Sequence, residues 1–173
     1  MDRVAERAGV NKERIYQYFG SKQKLFAAVL EQEMTKLAAA VPLTAELAED
    51  LGEFAVRVYD HHRSYPHYLR LLLWEGLETA TRQGKPIAAA AERAAHYTDN
   101  LAAVARAQKA GLLRDDVDPG YLLYLARALA AWWLAVPSTA GLMLGDAAAD
   151  ATDERRRVLA GLVRDACRPA LTG

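Results

Sequence analysis

Val4-Ala5-Glu6-Arg7-Ala8-Gly9-Val10-Asn11-Lys12-Glu13-Arg14-Ile15-Tyr16-Gln17-Tyr18-Phe19-Gly20-Ser21-Lys22 reads as two short helices joined by a tight turn, with a third helix opening at its end. Val4, Ala5 and Ala8 form a first apolar face. Gly9 follows as a C-cap, because a residue without Cβ can take positive φ. Asn11 is suited to cap a second helix whose apolar face is Ile15, Tyr18 and Phe19. Ala5 lets the helices approach, Gly9 turns the chain and Ile15 packs back between them. This is the spacing of a helix-turn-helix, whose second helix enters the DNA major groove.

Further details of the same stretch agree. Tyr16-Gln17-Tyr18 sets hydroxyl and amide groups beside Lys12 and Arg14, a mixture suited to phosphates and base edges. Ser21 caps the third helix, which then opens Lys22-Gln23-Lys24. Lysines in a first turn oppose the helix dipole, and a phosphate at that terminus would explain them. Residues 1–24 carry six basic against three acidic side chains, net +3; the rest carries 16 against 19, net −3. A basic end on a mildly acidic body fits a DNA reader joined to something that does not touch DNA.

Outward from this stretch the pattern stays helical. Apolar residues make up 52% of the 173 residues, with abundant Ala and Leu, which favours helices. One helix is expected from Ser21 to about Ala40, ended by Pro42, and the next from Thr44 to His61-His62, with these histidines in a solvated loop. Further helices are expected over about 66–82, 86–110, 119–136 and 152–168, with a short turn of helix capped by Ser138. Asp118-Pro119 is a strong start signal. The segment 119–136 is apolar on most sides and must be buried in a core or against another chain. The fold class is all-α: a helix-turn-helix head over residues 1–40 with its linking helix, and a larger helical bundle over 41–173 for ligand binding and dimerisation.

The run Val4 to Val10, then Ile15 to Lys22, then Leu25-Phe26, resembles the TetR family of bacterial transcriptional regulators. The likeness covers about the first thirty residues; beyond them only the all-helical pattern matches. It implies a dimeric repressor that binds a palindromic operator and is released by a small molecule. It also implies base-edge roles for Lys12, Glu13, Arg14 and Gln17, and phosphate contacts from Tyr16, Tyr18 and Lys22, with Asn11 capping the recognition helix. The last long helices, 119–136 and 152–168, would form the homodimer surface. In that family a whole helix precedes this point and covers Val4, Ala8, Ile15 and Phe19. At about 25 cal/mol per Å² of apolar surface, leaving it out is costly. Met1 is therefore expected to be an internal methionine of a longer protein. The competing reading is a dimeric helical small-molecule-binding protein that has lost DNA binding with its first helix.

In the body, Trp74, Tyr97, Tyr124, Trp132 and Trp133 are expected to line a cavity for a small apolar or aromatic ligand, with His61 or Glu75 orienting it. Nothing suggests an enzyme. There is no His-Glu-x-x-His, no Cys-x-x-Cys, no glycine-rich phosphate loop and no nucleophile elbow, and no metal or cofactor is expected. The single Cys167 suits a reducing cytosol as a structural thiol. No stretch reaches the roughly twenty apolar residues of a membrane span, and the N-terminus lacks the pattern of a signal peptide. A cytoplasmic location is expected.

Overall fold

The computed structural model describes residues 1–81, 90–145 and 152–169, and among these residues every regular element is a helix. The expected break at 83–86 lies outside them. The head consists of α1 (Asp2–Ala8), α2 (Lys12–Phe19) and the start of α3 (Lys22–Ala40). Gly9 takes φ 65°, and the N–H groups of Gly9 and Val10 donate to the carbonyls of Glu6 and Ala5. A side chain is strained at that φ, so the glycine permits the turn. The Asn11 Oδ1 accepts from the Arg14 N–H at 2.8 Å, and the Ser21 Oγ from the Lys24 N–H at 3.1 Å. Each cap satisfies a donor that the first turn leaves open.

The body is built around α5 (Leu51–Ser64), which packs against α8 (Pro119–Ala135) and α10 (Thr152–Cys167). Leu51, Phe54, Ala55, Val58 and Tyr59 are buried on it, facing Leu122, Leu123, Ala126 and Ala130 of α8 and Leu159 and Val163 of α10. Short α4 (Ala45–Glu49) leans on α7 (Ala90–Lys109), and α6 (Pro66–Thr81) bridges α3 and α8. The last element is α9 (Pro137–Leu144), between α8 and α10.

Three sequence expectations change. Thr44 does cap a helix, its Oγ1 accepting from the Leu47 N–H at 3.2 Å. That helix stops at Glu49, because Asp50 caps a new one by accepting from the Glu53 N–H at 3.0 Å. A capping side chain overrides an unbroken apolar period. The short helix after α8 starts on Pro137 without a side-chain cap, so Ser138 does not cap it. His61 and His62 are not in a solvated loop. They lie on the last turns of α5 and are buried, His62 to 4% exposure. Helical phase decides this: both follow Val58 and Tyr59 onto the inner face.

Cys167 is buried, and burial pushes its thiol up to about 11, which keeps it protonated. Its carbonyl accepts the Arg114 N–H at 2.9 Å, fastening the loop after α7 to the end of α10.

Candidate nucleic-acid interface and ligand site

The head divides cleanly into a small core and an outward face. Ala5 and Ile15 are buried between the helices, and Phe19 is half-buried at the end of α2. Lys12, Glu13, Arg14, Tyr16, Gln17 and Tyr18 are exposed, Tyr18 to 83%. Asn11 is also exposed and turned into its cap. Lys12 Nζ lies 3.0 Å from Asp2 Oδ1, a pairing that raises the lysine and lowers the aspartate through their hydrogen bond. Val4, 46% exposed, and Ala8 line an open concavity with Arg3 and Arg7 on the other side of α1.

The linking helix α3 is fastened to the body at two points. Phe26 meets Trp74 of α6 edge to face with ring centres 4.6 Å apart, and Lys22 Nζ stands 5.8 Å above the same indole. About two turns further along, Glu33 is buried. Its Oε1 lies 2.6 Å from Lys36 Nζ and its Oε2 2.8 Å from His67 Nε2 of α6. Burial works to raise this carboxyl, but hydrogen bonds from Lys36 and His67 outweigh it and hold it below the usual range. The linking helix is therefore gripped against α6 by an aromatic pair and a buried carboxylate.

The five aromatics expected to line one cavity are not gathered there. Tyr124 and Trp132 are 74% and 62% exposed. With Tyr121 they form an outer stripe on α8 at helical spacing, opposite Leu122, Leu123, Ala126 and Ala130. Trp74 belongs to the α3–α6 junction. Trp133 is half-buried with Arg155 5.9 Å over its ring, and Tyr97 is half-buried above Arg127. Glu75 is buried and paired with Arg93 at 2.6 Å.

Sequence reading passed over two features of this region. Arg127 lies half-buried between the rings of Phe54 and Tyr97, with its Nε buried, although in the sequence it only interrupts an apolar run. A cavity of about 180 Å³ opens between α3 and α7, lined by Glu31, Met34, Thr35, Ala38, Arg93 and His96. The i, i+3, i+4, i+7 spacing of Glu31, Met34, Thr35 and Ala38 marks one face of α3. It was legible as a face, but nothing in it shows that α7 stands opposite. Among the described residues no His, Cys, Asp and Glu group could hold a metal ion, and no helix is long and apolar enough to cross a membrane.

Comparison with known proteins agrees with this architecture. Residues 1–29 match the family model for bacterial regulatory proteins of the tetR family, and residues 50–165 the tetracyclin repressor-like C-terminal domain. The chain is 39% identical over 145 residues to the HTH-type transcriptional repressor SCO4008 of Streptomyces coelicolor, spanning 84% of this chain and 72% of that protein. It is 28% identical over 123 residues to the HTH-type transcriptional repressor NicS of Pseudomonas putida, spanning 68% and 57%. The solved structure of SCO4942 from Streptomyces coelicolor, described as a transcriptional regulator, superposes with a TM-score of 0.77 at 34% identity, covering 96% of this chain and 85% of that one.

Proposed function

This chain belongs to the TetR family of bacterial DNA-binding transcriptional regulators, and on that premise we propose that it is a cytoplasmic, ligand-responsive repressor that binds a palindromic operator as a homodimer. Regulators of this family are non-enzymatic transcription factors, and the chain is not an enzyme. The observation that carries the reading is the head, where Ala5, Ile15 and part of Phe19 are spent on packing while the other α2 side chains face outward. In the proposed complex, Lys12, Glu13, Arg14 and Gln17 meet base edges, and Tyr16, Tyr18 and Lys22 meet phosphates. Asn11 holds the helix start that aims them.

A second copy covers the outer stripe of α8. Tyr121, Tyr124 and Trp132 are exposed in one chain, as is Leu162 on α10, and α8 and α10 lie side by side. Large exposed aromatics grouped this way are costly in water and favour association. Two-fold pairing sets two recognition helices apart by a fixed distance, which a palindrome matches. A ligand held in the body shifts that distance through α3, since Phe26, Glu33 and Lys22 bind this helix to α6. The mechanism is a population shift between two spacings.

The test is a gel shift of the purified protein against DNA flanking its own gene. Retardation of that DNA at concentrations that leave random DNA free, with a footprint of two half-sites about one helical turn apart, is expected. Equal retardation of both DNAs refutes operator binding.

A further inference from the structure

Arg127 carries a charge that its surroundings do not answer. Its guanidinium carbon lies 5.3 Å from the ring centre of Phe54 on α5 and 5.4 Å from that of Tyr97 on α7. Its Nε is buried without a hydrogen-bond partner, and among the described residues no carboxylate pairs with it. Of the acids in this region, Glu75 is engaged with Arg93 and Glu33 with Lys36 and His67, while Glu31 lines the α3 wall of the cavity and Asp99 stands beside His96. Two ring faces answer part of the charge, but they leave the buried Nε–H on the guanidinium edge, which calls for an oxygen acceptor.

The other polar groups near Arg127 are neutral. Tyr68 is buried beside His62, with ring centres 5.6 Å apart, and burial pushes its hydroxyl up to about 12. His62, whose Nδ1 is buried without a partner, is lowered to about 4 by burial, with His61 and then Arg127 adding to the effect. His96 is lowered by burial and then by Arg127. The Asn100 amide N–H donates to His96 Nε2 at 3.3 Å, which puts the ring proton on Nδ1 as a further donor. Among the described residues, Arg127 Nε and His62 Nδ1 thus stand without a hydrogen-bond partner in one region. His96 also lines the 180 Å³ cavity whose opposite wall is α3.

We infer that Arg127 anchors a small organic carboxylate, its oxygens on the guanidinium edge and its ring or alkyl body lying toward Tyr97, His96 and the cavity against α3. This rests on the ligand-responsive reading and specifies the chemistry of its ligand. The cavity is small beside the roughly 300–1,000 Å³ of drug-sized sites, so the acid has about one ring. Its apolar end reaches Met34 and Ala38, so occupancy presses on the helix that carries the recognition head.

The test uses benzoate, phenylacetate and hexanoate at millimolar concentration against neutral benzamide and cationic benzyltrimethylammonium. Thermal unfolding and calorimetry are run on the wild type, Arg127→Met and Arg127→Lys, each with its operator affinity. At least one carboxylate should bind and raise the wild-type melting temperature, while benzamide and the cation do not. Arg127→Met should weaken that binding roughly 10- to 100-fold, the loss expected for a charge-assisted hydrogen bond. Arg127→Lys keeps the charge without the planar fork and should bind in between; if Arg127→Met does not fold, this variant decides alone. No response to any of the three acids, or equal binding by the variants, overturns the assignment. Carboxylate binding that leaves operator affinity unchanged upholds the site and refutes ligand-responsive repression. Release of operator by the cation or the amide, with no carboxylate binding, upholds that repression and overturns the site.

Discussion

Gly52→Ala sets two effects of opposite sign against each other. Gly52 sits in the first turn of α5, where alanine is worth up to about 1 kcal/mol more than glycine for the helix itself. An added Cβ would lie 2.4 Å from the Ala160 carbonyl oxygen and 2.7 Å from Arg164 Cγ, both on α10, and 3.1 Å from Asp50 Oδ1. The arginine stem can swing aside, but a backbone carbonyl inside a helix cannot. Relief therefore requires α5 and α10 to separate by about 1 Å at a point where interiors are close-packed. Overpacking of this kind costs about 1–3 kcal/mol, sometimes more. Separation also spoils the two-pronged Arg164–Asp50 contact, at 2.9 Å, 3.0 Å and 2.7 Å. Both side chains are substantially exposed, so that loss adds at most about 1 kcal/mol. The clash wins, and the variant should be destabilised by about 1–3 kcal/mol. For a chain of this size that is a melting temperature lowered by roughly 2–10 °C. Calorimetry at one fixed protein concentration measures it, since dimer formation is linked to stability. Gly76→Ala is the matched control: nothing lies within 4 Å of its added Cβ, and it should melt at the same temperature or slightly higher. A Gly52→Ala protein as stable as the wild type would refute the close approach of α5 and α10.

Other predictions concern charge, DNA and assembly. The folded chain holds His62 at about 4 against an ordinary 6.5, because of burial and then of His61 and Arg127. The unfolded chain therefore binds a proton first as pH falls, and stability is lost between pH 6.5 and 4, by about 3 kcal/mol from this group. Denaturant unfolding of His62→Phe across that window should show a shallower loss than the wild type; parallel curves would place His62 in water. Arg14→Ala should lower operator affinity by about 1–3 kcal/mol with little change on random DNA. Lys22→Ala should weaken both DNAs alike and reduce the salt slope by about one unit. Titrations at several salt concentrations separate them, and equal losses on both DNAs for Arg14→Ala would remove it from the base edge. Trp132→Glu puts a charge into the outer stripe of α8, and light scattering should then find a monomer that still gives a helical spectrum. A dimer of unchanged affinity would move the interface elsewhere.

The local signals were read directly from residues. Gly9, Asn11, Ser21, Thr44 and the Asp118-Pro119 pair act on backbone groups within a few positions of themselves, so each turn and cap stood where its side chain implied. Asp50 was missed because an aspartate inside an apolar period reads equally as surface; only the observed bond to the Glu53 N–H makes it a boundary. The turn and caps of the head were legible for the same reason, lying within about twenty contiguous residues; the DNA roles of its exposed side chains are what the family resemblance implies.

Everything that depends on which helix stands opposite which was decided by the tertiary structure. Periodicity shows that α8 is apolar on most sides, but not that Leu122 and Ala126 face α5 while Tyr124 and Trp132 face out. An aromatic residue is equally at home in a core, a cavity or an interface, so the expected ligand cage of five did not form. From the sequence, His62 is expected in a solvated loop and Arg127 only interrupts an apolar run; packing buries His62 and leaves Arg127 half-buried between Phe54 of α5 and Tyr97 of α7. The sequence alone determined most of the helices, the caps at Asn11, Ser21, Thr44 and Asp118, and the turn of the head, since these rest on neighbours in the chain. The cation held between two rings, the grip of Glu33 on α6 and the two faces of α8 rest on residues far apart in sequence, and only packing brings those together.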